Sequence, residues 1–297
     1  MSLRRFHIAA LAAIAFSASC AAVAAAGPWS LAPGEYFTEL RGSFFSSGTY
    51  YDDDGNRMTL GGLYEQRGLT SETELGWKKK WSLQMGLPAL SITTRDQAGP
   101  TATSAGFGDL SLGLRYSLAN GATASAIQLG WTAPTGYNTA LEPSLGDGLQ
   151  RLEATFEMGG PLGDRGFYQA GAGYAYEYLT IGSRSTDTTE VGSKRDWSDH
   201  VLVEGAIGWW LGNLLVSGEY QGEIAAASGG LNPEYTSHLV GPRFTYGVDE
   251  RLDAFAGSWH TPGGKNVLHV DQFYAGVAFK ATKLNRLQGF LGSDKRP

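Results

Sequence analysis

The sequence predicts an all-β fold: a closed antiparallel transmembrane β-barrel of about 12 strands, with short periplasmic turns and long external loops. Three observations carry this. First, the stretch 106–118 reads G-F-G-D-L-S-L-G-L-R-Y-S-L, with Leu110, Leu112, Leu114, Tyr116 and Leu118 at every second position and Asp109, Ser111, Gly113, Arg115 and Ser117 between them. Side chains alternate with a period of two along a strand, so one face is apolar and the other polar. Second, the chain is rich in Gly (42 of 297 residues) and in Tyr and Trp (14 and 8), yet has no long apolar run beyond its N-terminal leader. No spanning helix is available, and the mean hydropathy of −0.20 suits strands of which only alternate residues meet lipid. Third, the connections between alternating segments switch between short and long, as the two ends of an outer-membrane barrel require.

The leader has Arg4 and Arg5 before an apolar core and Ala24, Ala25 and Ala26 before Gly27. This is the pattern of a cleaved secretory signal, which assigns residues 1–26 to a signal peptide and implies a bacterial outer-membrane destination. The only cysteine, Cys20, lies in the leader, so neither disulfides nor thiolate metal sites are expected. A short lead-in with Trp29 and Pro33 precedes the barrel, assigned to 27–281, and a polar tail follows at 282–297.

Strands are expected at 35–50, 70–79, 82–93, 106–118, 123–133, 149–159, 166–180, 198–211, 214–224, 236–248, 251–260 and 272–281. The polar stretch 51–68, holding D-D-D-G-N, reads as a long loop, and 95–104 as another. Further long loops are expected at 135–148, 183–197, 225–235 and 261–270, whereas Asn120-Gly121, Gly212-Asn213 and Asp249-Glu250 mark tight turns. Trp77, Trp131, Trp209, Trp210, Tyr220 and Phe279 sit near strand ends and suit interfacial girdles.

The apolar residues of each strand face lipid, which leaves an ionisable inner set: Glu39, Arg41, Glu72, Glu74, Lys78, Asp109, Arg115, Arg151, Glu153, Glu157, Glu177, Glu204, Glu219, Glu223, Arg243 and Lys280. Of these, Glu39, Arg41, Asp109, Arg115, Arg151, Glu153, Glu157, Glu177, Glu204, Glu219 and Arg243 are the candidate lumen-lining residues. Two arrangements fit such a set. The charges can satisfy one another and fill a narrow barrel, or they can line a water-filled constriction that selects solutes.

Four stretches carry a resemblance: W-S-L-A-P-G-E-Y-F-T-E-L from Trp29, Y-Y-D-D-D-G-N from Tyr50, G-F-G-D-L-S-L-G-L-R-Y from Gly106, and L-V-G-P-R-F-T-Y-G-V-D-E-R-L from Leu239. With them the chain resembles a family of Gram-negative outer-membrane proteins named for the meta-pathway of phenol degradation. The resemblance implies an outer-membrane barrel that transports hydrophobic or aromatic compounds, and it carries over no functional residues. The tail departs from the usual barrel ending in a terminal aromatic; Phe279 is the nearest candidate.

No catalytic motif is present. His260 near Ser258, or His238 beside Ser237, could be forced into a hydrolase role, and neither lies in a recognisable motif. His260 and His269 bracket a loop without a metal-site spacing, and D-D-D-G-N lacks the later Glu of a calcium loop. The chain is therefore expected to be no enzyme and to need no cofactor or metal. Its net charge of −6 gives no reason to expect nucleic acid. The expected partners are outer-membrane lipid, the barrel-insertion machinery and a small-molecule solute. The expected function is a channel for passive uptake or efflux, the alternative being a non-conducting barrel with a packed lumen and a structural or surface-interaction role.

Overall fold

The computed structural model describes residues 27–96, 101–138, 143–146, 148–179, 199–226 and 235–280. The leader, the C-terminal tail and the 183–197 loop expected from the sequence lie outside these residues. In chain order the strands are β1 (Tyr36–Tyr51), β2 (Arg57–Lys78), β3 (Trp81–Asp96), β4 (Thr101–Phe107), β5 (Leu110–Asn120), β6 (Ala124–Ala133), β7 (Leu149–Leu162) and β8 (Gly166–Leu179). They continue as β9 (His200–Leu211), β10 (Leu214–Ala225), β11 (Thr236–Gly247), β12 (Leu252–His260), β13 (Gly264–Lys265), β14 (Val267–Leu268) and β15 (Asp271–Lys280).

β4 and β5 both pair with β3 and form one long strand broken at Gly108 and Asp109. β13 and β14 are two-residue ladders folded against β11 and β1. The remaining order gives twelve spanning strands, every pairing antiparallel, and the β1–β15 and β10–β11 ladders close the ring. Closure matters physically because an open edge would leave unpaired N–H and C=O groups, each costly in hydrocarbon.

The alternation sets the faces. On β5, Arg115 and Ser117 are fully buried while Leu112 and Leu118 are exposed. Around the ring Leu40, Leu69, Met85, Leu129, Phe156, Ile207, Phe244 and Phe273 point outward. So continuous an apolar belt is far larger than a water-soluble surface carries. Trp77, Trp209, Tyr246 and Phe279, all exposed, stand beside the short turns or at the last strand's end.

Four expectations change. The stretch 51–68 is mostly strand: β1 and β2 stay paired up to Tyr51 and Arg57, and the turn is only residues 52–56. The D-D-D-G-N motif is its tip, where Asp52 Oδ1 accepts the N–H of Asp54 at 3.0 Å and of Asn56 at 2.8 Å, and Gly55 takes φ +81°. Likewise β3 and β4 remain paired from Ala89 with Phe107 to Arg95 with Thr101, through most of the expected 95–104 loop. Polar residues on both faces mimic a loop where a hairpin rises into water. Lys78 was expected inside, but a register shift between Gly76 and Lys78 turns it out, with Nζ 4.5 Å from the Trp77 ring. Trp210, expected in a girdle, faces inward because it alternates with the outward Trp209 and Leu211.

Two segments enter the lumen. At the short-turn end the lead-in folds under the barrel: Gly34 N donates to Gly76 O, Gly76 N donates to Glu35 O (both 2.8 Å), and the Glu35 carboxylate caps Ala32 N. At the long-loop end the segment carrying β13 and β14 folds inward, burying Val267, Leu268 and Val270 with Phe45, Tyr64, Leu90, Ile92, Leu239, Trp259 and Tyr274. The apolar core of the protein is therefore a plug inside the long-loop half.

Candidate channel lumen

Groups of buried charge occupy the barrel wall beside and below that apolar cluster. Arg115, on β5, reaches Glu74 on β2 at 2.6 Å, Gln128 on β6 at 3.0 Å and Glu157 on β7 at 3.2 Å. Gln84 Nε2 donates to the same Glu74 oxygen at 3.2 Å. A second group joins Arg41 to Glu72 at 2.7 Å and Arg243 to Glu39 at 2.6 Å, with the Arg243 guanidinium 4.1 Å from the Phe255 ring centroid. A third surrounds Arg151, which pairs with Glu153 at 2.6 Å, Glu223 at 2.7 Å and Glu177 at 3.5 Å. Asp253 and Lys280 form a further pair on adjacent strands.

Eight of the eleven candidate residues are thus locked in pairs: Glu39, Arg41, Arg115, Arg151, Glu153, Glu157, Glu177 and Arg243. Asp109 is buried at the β4–β5 break, where Tyr137 of the following loop donates to it at 2.5 Å. Glu204 and Glu219 differ. Among the described residues neither makes an ion pair; Glu219 accepts only a 3.4 Å bond from Ser217, and Glu204 Oε1 has no hydrogen-bond partner. Both line the same internal space.

That space is a cavity of about 650 Å³ in the short-turn half. Its walls are Phe167, Gln169, Glu204, Trp210, Leu215, Ser217, Glu219, Arg243, Thr245, Asp253, Trp259 and Lys280, and Trp29, Leu31 and Phe37 bring the lead-in segment to it. The volume is that of an ordinary small-molecule site. A much smaller void, about 20 Å³, lies among Arg41, Thr70, Gln221, Trp259 and Tyr274. The lumen is neither an open pore nor fully packed: it holds an apolar plug, groups of paired charge and a cavity.

Several site residues were not evident from the chain. Trp29 and Trp210 line the cavity but read as lead-in and girdle residues, and Phe167 and Trp259, also in its wall, carry no sequence signal of their own; strict counting of alternation from Trp209 would have placed Trp210 inside. His238 turns outward onto Tyr220, 2.9 Å from its hydroxyl, while Ser237 is buried on the opposite face, so the two cannot act as base and nucleophile. His260 meets Asp271 at 2.5 Å with His269 nearby, a grouping that Asp271 completes. The Arg57 guanidinium stands 3.3 Å from His269 Nδ1, and burial together with that charge pushes the imidazole pKa down.

No protein-family model matches the chain, and no curated protein sequence does. Solved structures do. An outer-membrane channel from Pseudomonas putida F1 superposes with a TM-score of 0.68 at 11% identity, over 85% of this chain and 97% of that one. The fold is an outer-membrane β-barrel. The KdgM porin (TM-score 0.48, 7% identity, 82% of this chain and 98% of that one) and the CymD monoaromatic hydrocarbon channel (0.46, 10%, 84% and 88%) are more distant. By their names these solved structures are channels and a porin. At these identities the likeness establishes shared architecture, and function has to be argued from the lumen.

Proposed function

We propose that the chain is an outer-membrane channel for small solutes of hydrophobic or aromatic character, moving by passive uptake or efflux. The observation that carries this reading is the 650 Å³ cavity, which combines the indole and phenyl walls of Trp29, Phe167, Trp210 and Trp259 with the two unpaired carboxylates Glu204 and Glu219. A cavity needed only for structure would be filled, because each void forfeits packing. The aromatic walls suit a flat apolar solute, and the resemblance to the meta-pathway family supports the same class. The remaining expectations follow as part of this proposal: export by a cleaved signal peptide, insertion by the outer-membrane machinery, and a belt in contact with lipid.

The packed-barrel reading keeps one specific support, the apolar plug that closes the long-loop half. In the channel reading the plug is a gate and the structure is its closed state. Titrating the detergent-solubilised barrel with phenol while following tryptophan fluorescence separates the two. The channel reading expects saturable quenching that Trp210→Leu diminishes and Trp209→Leu, one residue away on the lipid face, leaves in place. Quenching that never saturates, or that depends equally on both, removes the support.

A further inference from the structure

The Arg151 group contains more negative charge than ion pairing requires. Arg151 on β7 is its only fixed cation among the described residues, against Glu153, Glu177 and Glu223. His200, the first residue of β9, stands in register between Ala175 of β8 and Ala225 of β10. Its ring therefore projects inward between Glu177 and Glu223, two residues along on either flank. Nε2 lies 3.6 Å from Glu177 Oε2 and Nδ1 lies 3.5 Å from Glu223 Oε1. The side chain is fully buried, and among the described residues neither ring nitrogen has a hydrogen-bond partner and Glu223 Oε2, also buried, has none. One donor atom each from Glu177, His200 and Glu223 falls within 4.8 Å of the other two.

We propose that Glu177, His200 and Glu223 form a binding site for a divalent transition ion of the Zn²⁺ type, set in the barrel wall just inside the long-loop mouth. Imidazole and carboxylate are the ligands such ions take, at about 2.0–2.2 Å; one ring nitrogen of His200 would hold the ion, and one oxygen of each carboxylate would close on it from the present spacing of up to 4.8 Å. The charge count agrees: three carboxylates and one guanidinium sum to −2, which one divalent ion cancels. The ring of Tyr235, 4.3 Å from His200 by centroids, holds the imidazole from the open side. Its hydroxyl and Arg151 both bond Glu223 Oε1, which leaves Oε2 for the ion. The ion would tie β8, β9 and β10 together where they leave the membrane, whether or not solute passes the lumen. The ligands lie 23 residues apart in sequence in each step, so no local motif announces them.

The test uses the full mature barrel purified in detergent, stripped with chelator and titrated with ZnCl₂ by calorimetry, its fold checked by heat-modifiable migration in SDS. The expected result is about one equivalent bound, with affinity lowered roughly tenfold or more in His200→Asn and in Glu177→Gln, unchanged in His269→Ala, and a raised apparent Tm on Zn²⁺ addition to wild type only. His200→Asn keeps a polar group of similar reach, so folding survives where alanine would leave a hole. No binding, or binding that His200→Asn leaves intact or that His269→Ala abolishes, overturns the proposal. So does a Tm that ignores Zn²⁺ but rises as pH falls through the imidazole range, which would make His200 a protonated clamp between the carboxylates.

Discussion

Arg115 shows how much of the lumen rests on single residues. It has no solvent exposure and contacts two carboxylates and one amide from three other strands. Arg115→Leu strands Glu74 and Glu157 in the interior and should cost about 3–5 kcal/mol, read as a fall in the urea midpoint of the folded barrel. Glu204→Gln, which changes a cavity-lining carboxylate that makes no ion pair among the described residues, should leave that midpoint nearly unchanged. Adjacent residues of β9 test the faces themselves. Ile207 is exposed to lipid and Ala206 lines the cavity. Ile207→Arg should impair insertion, at a cost of up to about 2–4 kcal/mol depending on depth, whereas Ala206→Arg should insert; equal damage in a membrane-insertion assay would put the register in error. Asp52 offers a pH test outside the membrane. The N–H of Asn56 and those of its neighbours hold its carboxyl below the ordinary value. A depressed folded pKa stabilises the tip above the unfolded Asp value of about 3.9 and loses that contribution as pH falls through the folded value. The Asp54 and Asn56 amide resonances should therefore titrate with a midpoint below 3.9, and a midpoint at or above it would deny the capped turn.

At the scale of elements, strand identity was legible because period two needs only neighbouring residues. Where the chain leaves the membrane the rule loses its contrast, so the upper parts of β2 and β4 read as loops although they are paired. Lys78 was misplaced for a related reason: a one-residue slip inverts every side chain beyond it, and nothing local marks it. The inward segments were also illegible, since a loop that folds into the lumen and one that projects into water have similar compositions. Their contacts make clear predictions. A Cβ on Gly76 would collide with the Ala32 carbonyl. Gly76→Val should displace the lead-in segment and expose it to limited proteolysis, while the barrel keeps its heat-modifiable migration. At the opposite end Leu268 is buried in the plug, and Leu268→Ser should loosen it and raise the fraction of time the barrel is open.

The whole molecule was legible in outline. Twelve strands and their direction follow from counting alternations, and an even antiparallel set closes on itself; the lengths of the 51–68 and 95–104 connections did not. The inner charges could be named but not paired. Arg151 reaches Glu223 across β8 and β9, and Arg243 reaches Glu39 across β12 and β15, because ring closure and strand tilt bring them together rather than sequence spacing. For the same reason the sequence left open and packed lumens equally possible, and the structure contains some of each. The central claim is that the cavity belongs to a gated solute path whose charge selectivity comes from Glu204 and Glu219. Planar-bilayer recording of the purified barrel tests it most directly. The account predicts discrete openings from a mostly closed state with preference for cations, a preference that the Glu204→Gln, Glu219→Gln double variant reduces without lowering the unfolding midpoint. A barrel that stays silent in wild type and in Leu268→Ser alike, or openings whose ion preference ignores the double variant, would contradict it.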